Sequence, residues 1–179
     1  TALASKVCYL TWSKLTDAED GAINEFVLRL PVFLSALGSV VLIGLSVRRW
    51  VSDGAGLLAA ALLAIHPWFI RYGIDARAYG PVVFFSLVGL WALSNALSAD
   101  RFRYWALFAL VQFFLMWSNM HCLWFCGSTT IVASILILTG KFPAVYWPKF
   151  GRLIASNALA AAAFLQVYSP NLFQFYRWS

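Results

Sequence analysis

Residues 30–47 read LPVFLSALGSVVLIGLSV, and the next two are Arg48-Arg49. The run carries no charge. As a helix it would rise about 27 Å, close to the ~30 Å hydrocarbon thickness of a bilayer. Pro31 fits the first turn of such a helix, where its missing N–H would have no partner anyway. The two arginines would stop it at a polar boundary. A helix of a water-soluble domain hides one apolar stripe and presents charge opposite it; this run has no charged face to present.

Working outward, the same pattern recurs. Ala55–Ile70 follows the turn Ser52-Asp53-Gly54, and Gly80–Ala99 closes at Asp100-Arg101-Phe102-Arg103. Tyr104–Ser118 and Leu123–Leu138 are shorter runs around Asn119-Met120-His121-Cys122, and Leu153–Tyr168 precedes Ser169-Pro170. The two runs flanking His121 are compatible with two short crossings or with one long tilted helix. Composition agrees with a membrane protein: 62% of the chain is apolar and 11% is charged, where a soluble domain carries about 25% charge. The nine Trp, seven Tyr and fifteen Phe often flank the apolar runs, as interfacial belts do. The net charge of +6 is spread over short loops, which fits cytoplasmic loops and excludes a nucleic-acid-binding surface. The expected fold is all-α and polytopic, with about six crossings in residues 30–179.

With six crossings, Arg48, Arg49, Arg101, Arg103, Lys141, Lys149 and Arg152 fall on one side, which is then cytoplasmic. Residues 1–29 differ in character. Leu3, Val7 and Leu10 share one side of a helical wheel with Ser5, Ser13 and Thr16 opposite, the pattern of an amphipathic segment on the outer surface. The chain opens at Thr1 without an initiator Met, so a piece of a longer protein is expected. Three cysteines say little. Cys122, Cys126 and the neighbouring His121 lack the spacing of a zinc site, and buried Cys is common in apolar helices. No cofactor is indicated; a divalent metal is compatible with the sequence, but no motif calls for one. Asn95 and Asn157, inside apolar runs, read as interhelical hydrogen-bonding residues.

Chemistry concentrates between His66 and Tyr79. His66-Pro67-Trp68-Phe69-Ile70-Arg71-Tyr72-Gly73-Ile74-Asp75-Ala76-Arg77-Ala78-Tyr79 joins two apolar runs on the outer side. The plain reading is a solvated interfacial loop in which Arg71 pairs with Asp75 one turn on. The functional reading rests on convergence. A guanidinium matches phosphate with a planar fork of donors, and a carboxylate beside it can act as a base towards a hydroxyl. Ser118-Asn119-Met120-His121 is a second candidate on the same expected side, against which stands a capping or packing role for a lone His.

Glu25-Phe26-Val27-Leu28-Arg29-Leu30-Pro31, then Arg48-Arg49, Gly56-Leu57-Leu58-Ala59-Ala60, His66-Pro67-Trp68 and Tyr72 through Tyr79 together resemble the GT-C superfamily of membrane glycosyltransferases. The nearest branch is the bacterial one akin to glycosyltransferase family 39, the relatives of dolichyl-phosphate-mannose–protein mannosyltransferases. Asp75, Arg77 and Tyr79 match its acid-Ala-Arg-x-Tyr motif, and His121 is similar to a histidine in a later hairpin. The resemblance implies transfer of a sugar from a polyprenyl-phosphate carrier to a protein, lipid or glycan acceptor, at the outer face of a bacterial inner membrane. It implies donor-phosphate binding by Arg77 and Arg71, a catalytic or orienting role for Asp75, and a cavity lined by Tyr79, His121 and Asn119. The family's principal base lies in a first outer loop that has no counterpart here, so this chain alone is expected to be inactive. The rival expectation is a non-catalytic transporter or membrane-complex subunit, for which broken helices with ionisable groups at mid-membrane would speak.

Overall fold

The computed structural model describes residues 25–73, 79–139 and 146–178, and among these every regular element is a helix. They are α1 (Glu25–Trp50), α2 (Asp53–Ile65), α3 (Pro67–Gly73), α4 (Tyr79–Ala99), α5 (Phe102–Ser118), α6 (Cys122–Leu138) and α7 (Tyr146–Trp178). The surface segment expected over residues 1–29 lies outside the described residues as far as residue 24, and Glu25–Arg29 already belong to α1. Among the described residues three helices are long and apolar enough to cross a membrane: α1 over Arg29–Trp50, α4, and α7 over Trp147–Ser169. The bent pair α2 and α3 makes a fourth candidate, and α5 and α6 are shorter apolar helices of 17 residues each. The chain is an integral membrane protein of all-α class. Leu34, Leu57, Leu62, Ile131 and Leu159 are all more than half exposed, an arrangement that suits lipid rather than water as the surrounding solvent.

Contacts divide the chain into two units, meeting at Leu87 and Val88 within α4. In the first unit α1 is the common partner. Val32, Ala36, Ser39 and Ser46 form its buried stripe while Phe33, Leu37, Val41 and Leu45 face outward. Helix backbones come very close here. A Cβ on Gly56 of α2 would sit 2.6 Å from the Gly44 carbonyl oxygen of α1, and one on Gly80 of α4 would sit 3.0 Å from the Val32 oxygen. Small residues permit this approach, and in lipid dispersion contact of this kind drives helix association. The α1–α2 turn is capped at Ser52, whose side chain accepts from the Ala55 N–H, and Arg48 pairs with Asp53 at 2.6 Å.

Three boundaries differ from the sequence expectation. Helix α1 starts at Glu25 and runs over Pro31; proline removes its own N–H and crowds the carbonyl four residues before it, a local cost that a long apolar helix can absorb. Residues 55–70 do not form one straight crossing. Proline disfavours α geometry in the preceding residue; His66 before Pro67 is extended (φ −68°, ψ 119°), and α2 and α3 meet at 65°. Helix α7 continues beyond Ser169-Pro170 to Trp178.

In the second unit α5, α6, α7 and the end of α4 enclose a core of Leu93, Leu97, Trp105, Phe108, Ile137 and Leu153. Side-chain bonds give its topology. Asn157 of α7 accepts at Oδ1 from Gln112 of α5 (3.4 Å) and from the Thr130 hydroxyl of α6 (2.9 Å). Gln112 and Thr130 lie at similar distances from the turn at Asn119–His121, so α5 and α6 fold back as a hairpin rather than forming one long helix. The interhelical role expected of Asn157 is met. Asn95 donates to the Trp91 oxygen of its own helix.

The other end of this unit is polar. Asp100, in the left-handed region at φ 47°, terminates α4, a conformation that Asp tolerates better than most residues. Its carboxylate accepts from Trp105 Nε1 (3.1 Å) and pairs with Arg152 (2.7 Å). Lys149, expected in a solvated loop, is buried in the first turns of α7 and donates to the Leu97 oxygen at 2.8 Å. A cation at the carbonyl end of α4 meets the negative pole of the helix dipole.

Candidate functional site

Helix α2 has 13 residues and rises about 20 Å, too short to cross a bilayer core alone. After the 65° bend, the seven residues of α3 add only about 4 Å along the α2 axis. The segment is therefore bent rather than straight, with α3 turned away from the α2 axis. Pro67 opens α3, where the lost N–H is harmless, and Ile70 N–H bonds back to the His66 oxygen at 3.0 Å. Gly73 closes it against α1, where a Cβ would lie 3.1 Å from Ala36 Cβ.

Helix α3 thus presents two kinds of surface. Phe69 and Ile70 border an apolar groove of about 200 Å3 shared with Phe33, Ala36, Leu37 and Val40 of α1. Trp68 and Tyr72, one turn apart, stack at 5.6 Å between ring centroids with 16° between planes, and Tyr79 at the start of α4 packs on Tyr72 at 4.7 Å. That contact brings together the two ends of the segment containing the acid-Ala-Arg-x-Tyr motif. Arg71 is exposed, and among the described residues its guanidinium has neither an ion pair nor a hydrogen bond. Asp75 and Arg77 lie outside the described residues, and so does the pairing of Arg71 with Asp75. Of the expected site residues in this unit, the structure shows Arg71 and Tyr79 flanking one aromatic cluster.

Asn119 and His121 belong to the second unit. Asn119 is committed to the hairpin: its N–H bonds to the Leu115 oxygen at 3.1 Å, its Oδ1 accepts from His121 N–H at 3.0 Å, and its carbonyl accepts from Cys122 N–H at 2.9 Å. An Asn side chain that imitates a backbone turn in this way is a local structural device. His121 is exposed and heads α6. No group of three His, Cys, Asp or Glu suited to a metal occurs among the described residues.

Sequence reasoning passed over the aromatic cluster as such. Its signals were present: Trp68 and Tyr72 at i, i+4 just after a proline. The broken span is a feature expected of transporters, but here the break is followed within seven residues by the polar end of the segment, and Arg71 lies at that end.

No curated protein and no solved structure matches the chain. A family match covers residues 19–119, from before α1 to the end of α5, and includes the whole of His66–Tyr79. His121 falls two residues beyond it. With an all-α membrane fold, a polar segment at the end of a bent span, and this match over more than half of its length, the chain belongs to the dolichyl-phosphate-mannose-protein mannosyltransferase family of membrane glycosyltransferases.

Proposed function

We propose that this protein handles a polyprenyl-phosphate-linked sugar, probing the donor's phosphate with Arg71 and Arg77 and passing the sugar to a protein, lipid or glycan hydroxyl outside the cytoplasm. The observation that supports the reading is the exposed guanidinium of Arg71, without an ion pair or hydrogen bond among the described residues, on a short helix at the end of a bent span whose Phe69 and Ile70 line an apolar groove. A lipid phosphate has this two-part chemistry, an anion attached to a hydrocarbon chain. Guanidinium answers the anion with paired donors, and the groove answers the isoprenoid. Asp75, two residues from Arg77, orients the acceptor or an arginine, and Tyr79 lines the sugar's side of the site.

Donor titration on the full-length protein in lipid nanodiscs tests this. A charge-assisted bond is worth about 1.5–3 kcal/mol, so Arg77→Ala is expected to weaken donor binding roughly 10- to 150-fold. Arg77→Lys restores it only in part, because an ammonium keeps the charge and loses the fork. Unchanged donor affinity in a well-folded Arg77→Ala protein would refute the phosphate role.

A further inference from the structure

Exposed tryptophans are ordinary at membrane boundaries, and this chain has examples. Trp124 and Trp147 are 81% and 79% exposed, with no ring contact among the described residues. They behave as single amphipathic rings at an interface do. Trp68 is different. It is 59% exposed, yet its indole is held flat against Tyr72, which is in turn braced by Tyr79. The bracing comes from two helices, since Trp68 and Tyr72 sit on α3 and Tyr79 opens α4. The phenol oxygens of Tyr72 and Tyr79 have no hydrogen-bond partner among the described residues, and neither does the adjacent Arg71.

An exposed, stacked aromatic face with hydroxyl groups at its rim that no described residue engages has a specific chemical complement. The face of an aromatic ring is electronegative and attracts weakly positive C–H groups laid over it. A pyranose presents such C–H groups on a ring face and hydroxyls around its edge. A hydrocarbon chain would use the face and leave the phenols unsatisfied; a phosphate would use Arg71 and leave the face bare. We infer that the Trp68–Tyr72–Tyr79 cluster is a sugar platform, on which a neutral pyranose ring stacks on the Trp68 indole and bonds at its edge to the tyrosine hydroxyls. The inference rests on the sugar-transfer reading, but it concerns the sugar ring and not the phosphate, so the two can fail separately. Trp68 is then a positioning residue that fixes the ring's orientation.

The test uses full-length protein in phosphatidylcholine nanodiscs, free of sugar detergents. Methyl mannopyranoside and methyl glucopyranoside serve as probes, since neither carries phosphate or lipid. Saturation-transfer NMR reads which sugar protons approach the protein, and titration gives affinity. The expected result is saturation concentrated on ring C–H protons for at least one probe. Trp68→Ala should weaken its binding about fivefold, equivalent to about 1 kcal/mol, and Trp68→Phe should recover at least half of the saturation. Trp124→Ala should leave glycoside binding unchanged. The platform is overturned if neither glycoside is saturated by folded wild-type protein. It is also overturned if Trp68→Ala matches wild type with an unchanged thermal midpoint, or if Trp124→Ala loses as much as Trp68→Ala. A Trp68 effect that persists while Arg77→Ala leaves donor affinity intact would support the platform and refute the phosphate role.

Discussion

In the first unit α1 and α2 meet where Gly44 and Gly56 bring two backbones together. In the second, α5, α6 and α7 meet through Gln112, Thr130 and Asn157, with Lys149 and Arg152 tying α7 to the end of α4. Both solve the same problem. Lipid gives apolar side chains no reason to leave it, so helices must attract one another by close dispersion contact or by polar groups that have no other partner. The glycine contact is short and unforgiving because the atoms facing each other are backbone. The polar contact is adaptable, since side chains can turn and a Thr hydroxyl shares its one proton between Asn157 and the Cys126 oxygen at 2.7 Å.

The sharpest test of that contrast is Gly56→Val. Its Cβ would meet the Gly44 oxygen at 2.6 Å and Arg48 N at 2.9 Å, neither of which can rotate away. A loss of about 3 kcal/mol is expected, the upper part of the range for overpacking, read as a fall in the thermal midpoint of purified protein. A midpoint within error of wild type would mean that α1 and α2 have room to part, and the contrast would dissolve.

Asn157→Leu should cost less. Interhelical polar contacts in membranes average about 0.6 kcal/mol and reach about 1.7. A value near the upper figure is expected, because Gln112 is buried and its Oε1 already lacks a partner. A double-mutant cycle with Gln112→Leu measures the coupling. Additive losses would show that the two amides do not depend on each other.

Gly127 of α6 supplies the opposite sign. Nothing lies within 4 Å of where its Cβ would be. Gly127→Ala should therefore stabilise the protein, by at most the helix-propensity gain of about 0.8 kcal/mol. A destabilised variant would add a close contact on α6 to the one at Gly89, where a Cβ would lie 3.3 Å from Val111 Cγ1, and would blur the distinction between the units.

The fold was legible where one physical cause dominates. The charge-free runs ended at Ala99, Ser118 and Leu138, and α4, α5 and α6 end there too, because hydropathy and the local turn residues Asp100 and Asn119 point to the same limits. It was less legible where a local and a global cause compete. Pro67 signals a break through its effect on His66, but an apolar run read for length alone passes over it. Lys149 looks like loop charge in sequence, whereas in the fold the carbonyl end of α4, distant in the chain, accepts from it. The candidate site divides in the same way. Residue types made Arg71 a candidate and the family resemblance added Tyr79, whereas the stacking of Tyr72 between Trp68 and Tyr79 depends on the bend and on two helices meeting.

Asn119 gives the smallest effect and separates two roles. As a turn residue it offers one oxygen to His121 N–H at 3.0 Å, a task that a Ser hydroxyl performs nearly as well. Asn119→Ser should then change stability by a few tenths of a kcal/mol, and Asn119→Ala by about 1 kcal/mol, the usual cost of losing a side-chain cap. Neither should alter donor or acceptor KM. A cavity-lining Asn119 would behave otherwise, since its amide N–H2 donors are lost in both variants while only Ala disturbs the turn. Thermal midpoints and steady-state kinetics on the full-length protein therefore report on different atoms. A raised KM in Asn119→Ser at wild-type stability would put the amide in contact with substrate, and the purely structural role of Asn119 in the hairpin would fall.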